Sequence, residues 1–211
     1  MATDTIRAMQ SAHPAAVSVT ISIVLYHSPV ALLEQTVRSL GRAVQAAGDA
    51  GLLDRASLLL VDNSQCDAYR AQIEQDLASW LQGVPLPYSL VAPAANGGYG
   101  AGHNVAIGQA CSDYHLVLNP DVELADAALL EGLRALKGAP ESVLQSPRVQ
   151  ADDGSQEFLC KRYPSVLVLL LRAFGPGFLR RLFSSRLDNY EYRDLCAGDA
   201  EVEVLLASGC F

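Results

Sequence analysis

Runs of β-branched and aliphatic residues alternate along this chain with segments whose apolar residues recur every three or four positions, and that alternation constrains the fold more than any other feature. Val17 to Tyr26 is a β-branched run bounded by Pro14 and by His27-Ser28-Pro29, the pattern of a buried central strand. From Pro29 to about Ala47, Leu32, Leu33, Val37, Leu40 and Val44 recur at helical spacing, with Ser28 as N-cap and Pro29 in the first turn. The pattern repeats as strand Ala56 to Asp62, helix Asp67 to Leu81, strand Tyr88 to Ala92, helix His103 to Ala110 and strand Tyr114 to Leu118. Such βα units predict an α/β fold with a mostly parallel, Rossmann-like sheet flanked by helices. Beyond Asp121 the pattern predicts a helix from Asp126 to Lys137, a strand from Val143 to Pro147 and a tight turn at Asp152-Asp153-Gly154-Ser155.

The chain has 211 residues, half of them apolar, enough to bury one sizeable core. The expected organisation is a flexible leader over residues 1–16 and one domain over 17–211. A net charge of −8 argues against a nucleic-acid partner, because neutralising a phosphate backbone requires clustered Lys and Arg. The five cysteines, at positions 66, 111, 160, 196 and 210, show no paired spacing, which fits reduced thiols rather than a disulfide framework or a zinc site. Met1 to Pro14 lacks the apolar core of a signal peptide, so a cytoplasmic location is expected.

Ligands of parallel α/β sheets bind at the carboxyl ends of the strands. Leu25-Tyr26, Asp62-Asn63, the glycine-rich Asn96 to Asn104 and Asn119-Pro120-Asp121 all fall at that edge. Asp62 could accept a hydrogen bond from a base or ribose, or it could cap the following turn. In Asn96-Gly97-Gly98-Tyr99-Gly100-Ala101-Gly102-His103-Asn104 the glycines allow close backbone approach and the amides of Asn96 and Asn104 offer donors and acceptors. This is not the dinucleotide fingerprint, since no Gly or Ala stands at the third position and the loop follows the third strand. Asp121 could hold Mg²⁺ or Mn²⁺, which take one or two protein carboxylates and complete their shell with phosphate and water; Glu123 is the weaker candidate. His27, His103 and the Lys161-Arg162-Tyr163-Pro164 cluster are secondary candidates.

The order of Leu25-Tyr26-His27-Ser28, Val61-Asp62-Asn63-Ser64, Asn96 to Asn104 and Leu118-Asn119-Pro120-Asp121-Val122 resembles family 2 glycosyltransferases of the GT-A fold, notably the bacterial rhamnosyltransferase-like branch that builds lipopolysaccharide O-antigen and other cell-surface polysaccharides. The resemblance runs from about Val17 to Phe211 and implies a nucleotide-sugar donor such as dTDP-rhamnose, a glycan or lipid-linked acceptor and an inverting mechanism. It implies that Leu25, Tyr26 and Asp62 help hold the base, that Asn96, Gly97, Gly98, Gly100 and Asn104 wrap the nucleoside, and that Asn63 and Asn119 belong to the same nucleotide-sugar site. Asn119-Pro120-Asp121 stands where these enzymes have a DxD-type motif. Asn119 replaces the first carboxylate and leaves Asp121 as the main ligand of a divalent cation. Pro147-Arg148-Val149, Asp153-Gly154-Ser155, Arg162-Tyr163-Pro164-Ser165 and Ala207 to Phe211 resemble later landmarks, with Val202 to Leu206 a strand. The catalytic base is expected beyond Phe211, so the domain reads as truncated at its C-terminus.

Two alternatives remain open: a non-catalytic nucleotide-sugar-binding module or inactive fragment, and a nicotinamide-dependent enzyme, which the loop position disfavours. The apolar segment from Val166 to Phe183, interrupted by Gly175-Pro176-Gly177, is too short to span a bilayer, which takes roughly 20 residues. With its arginines it could instead contact the cytoplasmic face of the inner membrane.

Overall fold

A computed structural model describes residues 16–142, 144–151, 153–157, 162, 165–191 and 193. The expected leader up to residue 15, the Val202 to Leu206 strand and the Ala207 to Phe211 landmark lie outside them, as do Val143, Asp152, Lys161, Tyr163, Pro164 and the cysteines at 160, 196 and 210. The chain divides into two compact units between Ala139 and Pro140.

The first unit runs β1 (Val17–Leu25), α1 (Val30–Asp49), β2 (Leu53–Asp62), α2 (Asp67–Trp80), β3 (Tyr88–Val91), α3 (Tyr99–Ile107), β4 (Tyr114–Leu118) and α4 (Ala128–Gly138). The strands pair in the order β3-β2-β1-β4 and every pairing is parallel, with Ile21 opposite Leu58 on one side and Leu116 on the other. This is the mixed α/β architecture that the alternation predicts, with its parallel sheet flanked by helices.

The two faces of the sheet differ chemically because alternate residues of a strand point to opposite sides. Val19, Ile21, Ile23 and Leu25 of β1 meet Leu33, Val37 and Leu40 of α1, Ile73 and Leu77 of α2, and Leu129 and Leu133 of α4 in the main core. Each fully buried aliphatic side chain there contributes roughly 1.5–3 kcal/mol. On the other face α3 supplies Ala106 against Val24, Leu59 and Val61. Further toward the amino ends that face carries Ser18, Thr20 and Ser22 on β1.

Several boundaries differ from the expected ones, among them three element starts. The first helix starts at Val30 with Pro29 at the N-cap position and no side-chain cap. Ser28 is not its cap; its carbonyl accepts from the Tyr69 hydroxyl at 3.0 Å. β2 starts at Leu53 rather than Ala56, directly after a turn in which Gly51 takes a φ of 71°. α3 starts at Tyr99 rather than His103, so the glycine-rich segment is helical from Tyr99 onward.

The second unit contains a short antiparallel pair, β5 (Val149–Gln150) and β6 (Gln156–Glu157), and three helices, α5 (Val166–Phe174), α6 (Gly177–Leu182) and α7 (Ser184–Tyr190). The turn between β5 and β6 is the expected one. Gly154 has a φ of 79° and Asp153 Oδ1 accepts from the Ser155 amide at 2.9 Å; the Ser155 side chain first and this amide second lower the Asp153 pKa. The expected strand from Val143 to Pro147 is not formed among its described residues, and pairing begins only at Val149. Among the described residues no helix is long and apolar enough to cross a membrane.

Candidate functional site

At the exits of β1 and β2 the chain makes two turns that are bonded to each other. The Leu25 side chain is in the core, and its carbonyl accepts from the Asn63 amide at 2.8 Å. Tyr26 follows with its ring 63% exposed. His27 turns the backbone with a φ of 49°, and its amide donates to Ser64 Oγ at 2.8 Å. Asp62 is buried and its Oδ1 accepts from the Ser64 amide at 2.9 Å, so it caps the turn, after which Gln65 has a φ of 53°. Two non-glycine residues at positive φ on one edge indicate a backbone held against its intrinsic preference. Burial raises the pKa of the Tyr69 phenol, and the nearby Asp62 carboxylate acts in the same direction against the Ser28 hydrogen bond.

The glycine-rich segment joins this edge through Asn63. Its Nδ2 donates to the Gly98 carbonyl at 3.1 Å, while its buried Oδ1 has no partner among the described residues. Asn96 Oδ1 accepts from the Gly98 amide at 2.8 Å, and Gly98, with a φ of 88°, turns the chain into α3. Gly102 is required by packing: a Cβ there would lie 2.7 Å from Val24 Cγ2. Gly97 is similarly crowded by Ala101, whereas a Cβ at Gly100 would meet nothing within 4 Å. Asn96, Gly100 and Asn104 are exposed.

The segment after β4 is fastened to α1. The Thr36 hydroxyl shares its hydrogen between the carbonyls of Leu32, at 3.1 Å, and Pro120, at 3.0 Å. Ser39 Oγ accepts from the Leu124 amide at 3.1 Å. Arg42 pairs with Asp126 at 2.9 Å and with Glu123 at 3.3 Å. Glu123 is therefore engaged elsewhere, while Asp121 is exposed and has no hydrogen bond or ion pair among the described residues. Asn119 Oδ1 accepts from the Tyr99 hydroxyl at 2.6 Å, which ties the β4 exit to the start of α3.

Beneath Tyr99 lies a polar chain that sequence reasoning missed. Ser22 Oγ is 2.8 Å from His103 Nδ1 and 2.7 Å from His115 Nε2. A hydroxyl has one hydrogen to donate, so Ser22 donates to one imidazole and accepts from the other, which fixes the same tautomer at both rings: Nε2–H if the hydrogen goes to His103, Nδ1–H if it goes to His115. Burial, with a smaller contribution from His115, lowers the His103 pKa to about 4, and burial also lowers that of His115. Both rings are neutral near pH 7. The His103 ring meets the Tyr99 ring edge-on at 4.4 Å. The signal in the sequence was the alternating Ser18, Thr20 and Ser22 inside an otherwise aliphatic strand; His115 gave none by itself. His103 is thus a satisfied interior residue on one nitrogen, with Nε2 unpartnered among the described residues.

The structure brings Tyr26, Asn63, the start of α3, Asn119 and Asp121 to the carboxyl edge of the sheet, while Leu25 contributes only backbone there. Among the described residues no group of three or more His, Cys, Asp or Glu gathers to hold a metal. A single free carboxylate suits a Mg²⁺ or Mn²⁺ ion that draws most of its ligands from a bound diphosphate and from water, not one caged by protein. A separate cleft of about 460 Å³ opens at the amino ends of the strands, between Ser18, Thr20, Arg55, Ser57 and Ser89. It is remote from the turns described above.

No family model matches the chain, and no curated protein matches it. Solved structures are similar to part of it, among them the following two. One is TarS 1-349 from S. aureus, at 17% identity and a TM-score of 0.47, covering 60% of this chain and 34% of that one. The other is the mannosyltransferase PcManGT from Pyrobaculum calidifontis in complex with GDP-Man and Mn²⁺, at 16% identity and a TM-score of 0.47, covering 57% of this chain and 32% of that one. The chain spans about a third of the length of each.

Proposed function

We propose that this chain forms the donor-binding portion of a nucleotide-sugar-dependent glycosyltransferase of the GT-A type. The observation that carries the reading is the coupling of three strand ends into one edge: Asn63 binds the Gly98 carbonyl, and Tyr99 binds Asn119. Residues from Asn63 to Asn119 are thereby held as one surface, where parallel α/β sheets take their ligands. The exposed Tyr26 ring offers a stacking surface for the base, and the first turn of α3 presents backbone amides without intrahelical partners toward an anion. Asp121 would hold a divalent cation, which would supply positive charge to a departing diphosphate.

The donor in this reading is dTDP-rhamnose or a related nucleotide sugar, the acceptor a cell-surface polysaccharide or lipopolysaccharide precursor, and the transfer inverting. The order of the four sequence motifs supports these finer assignments. Asp62, buried and capping its turn through Oδ1, remains in this reading a base-binding residue beside Tyr26. No described residue is assigned the base that deprotonates the acceptor.

Thermal-shift measurements with dTDP, UDP and GDP, each with and without Mg²⁺, and with NAD⁺ as comparison, test the reading. Stabilisation by one nucleoside diphosphate, enhanced by the cation, is expected. Stabilisation by NAD⁺ alone would overturn it.

A further inference from the structure

The helices of the second unit carry apolar side chains that stand exposed. α5 is apolar on both sides: Val168 and Leu171 are buried, while Val166, Leu169, Leu170 and Phe174 stand exposed on the opposite face, Val166 and Phe174 by 74% and 82%. On α6, Phe178 and Leu182, one helical turn apart, are 71% and 72% exposed. A helix that is apolar all round belongs in a core or in contact with lipid. Contiguous exposed apolar surface of this kind marks an interaction site.

The charge around this surface selects its partner. In a chain of net charge −8, residues 165–193 hold five arginines, at 172, 180, 181, 186 and 193, against Asp188 and Glu191 only. Arg193 pairs with both acids, at 3.4 Å and 2.8 Å. Arg181 and Arg186 are exposed and make no ion pair among the described residues. In a symmetric pair of these chains each such cluster would meet its own copy or lie close to it, so repulsion disfavours a second copy. An anionic lipid surface satisfies both features, taking the aliphatic and aromatic side chains below its headgroups and the guanidinium groups among its phosphates.

We propose that α5 and α6 form a docking surface for an anionic membrane, on which the unit lies without crossing. α5 is nine residues long, which at about 1.5 Å per residue is far short of a bilayer core. The inference is independent of the donor site, and nucleotide affinity measured on the same variants separates the two.

Flotation with vesicles of phosphatidylcholine alone, or mixed with phosphatidylglycerol, tests it on the full chain. The wild type is expected to float with the anionic vesicles and to bind them about tenfold more tightly than the neutral ones, less so at high salt. Leu170→Glu with Phe174→Glu, at exposed positions that leave the helix content unchanged, is expected to abolish flotation. Arg181→Glu with Arg186→Glu is expected to remove the preference for phosphatidylglycerol. A wild type that stays at the bottom of the gradient, or variants that float like it, would overturn the proposal. So would a dimer in sedimentation velocity that the apolar-face variant dissociates, because that result assigns the face to a second copy.

Discussion

The Tyr99 hydroxyl donates a 2.6 Å hydrogen bond to Asn119 Oδ1, so the first residue of α3 and the residue just past β4 move as one. Tyr99→Phe removes that bond and keeps the ring against His103. Nucleotide affinity is expected to fall severalfold, consistent with about 0.5–1.5 kcal/mol for one neutral hydrogen bond, with little change in melting temperature. Calorimetric titration beside a thermal melt checks both halves of this expectation.

Gly102 lets α3 lie directly on β1. In Gly102→Ala the new methyl would sit 2.7 Å from Val24 Cγ2, and a loss of about 1–3 kcal/mol in unfolding free energy is expected. Adding Val24→Ala should recover part of that loss, and urea denaturation of the two variants and the pair measures the coupling. An additive result would show that the contact does not limit the packing.

The strand and helix order was legible because the apolar periods over β1, α1, β2 and α2 are uninterrupted, and a period of two or of 3.6 is a local property. The start of α3 was not legible. Four glycines within six residues read as a loop, yet Gly98 serves as the helix entry and Gly102 as its contact with Val24. The expected strand at Val143 to Pro147 failed for the related reason that a strand exists only where another strand pairs with it. Ser22 and His115, 93 residues apart, meet only because β1 and β4 are neighbours in this register. The turn at Asp62 was legible as one of two alternatives, and the backbone amide of Ser64 shows the cap to be formed.

The buried imidazoles make stability depend on pH. His103 is held neutral in the fold with a pKa of about 4, while in the unfolded chain its pKa is near 6.5. Below pH ~6.5 the unfolded chain takes up a proton that the folded one refuses. Stability present in full above that pH is therefore lost progressively as pH falls toward about 4, by an amount on the order of 2–3 kcal/mol. Denaturation curves between pH 7.5 and 4 should show this slope, and His103→Gln should flatten it.

Ser39 holds the segment that carries Asp121. Ser39→Ala leaves the buried Leu124 amide without its 3.1 Å partner, which is expected to cost about 1–3 kcal/mol. Hydrogen exchange should show loss of protection concentrated at Leu124 and its neighbours; protection unchanged there would mean that Thr36 and Arg42 suffice to fasten the segment.

Calorimetric titration of dTDP, with and without Mn²⁺, into the wild type and Asp121→Ala tests the donor-site reading most directly. Asp121 has no partner among the described residues, so its replacement should leave stability unchanged. The account predicts metal-enhanced binding to the wild type and loss of that enhancement in the variant. Equal, metal-independent binding by both, or binding by neither of dTDP, UDP and GDP, would contradict it.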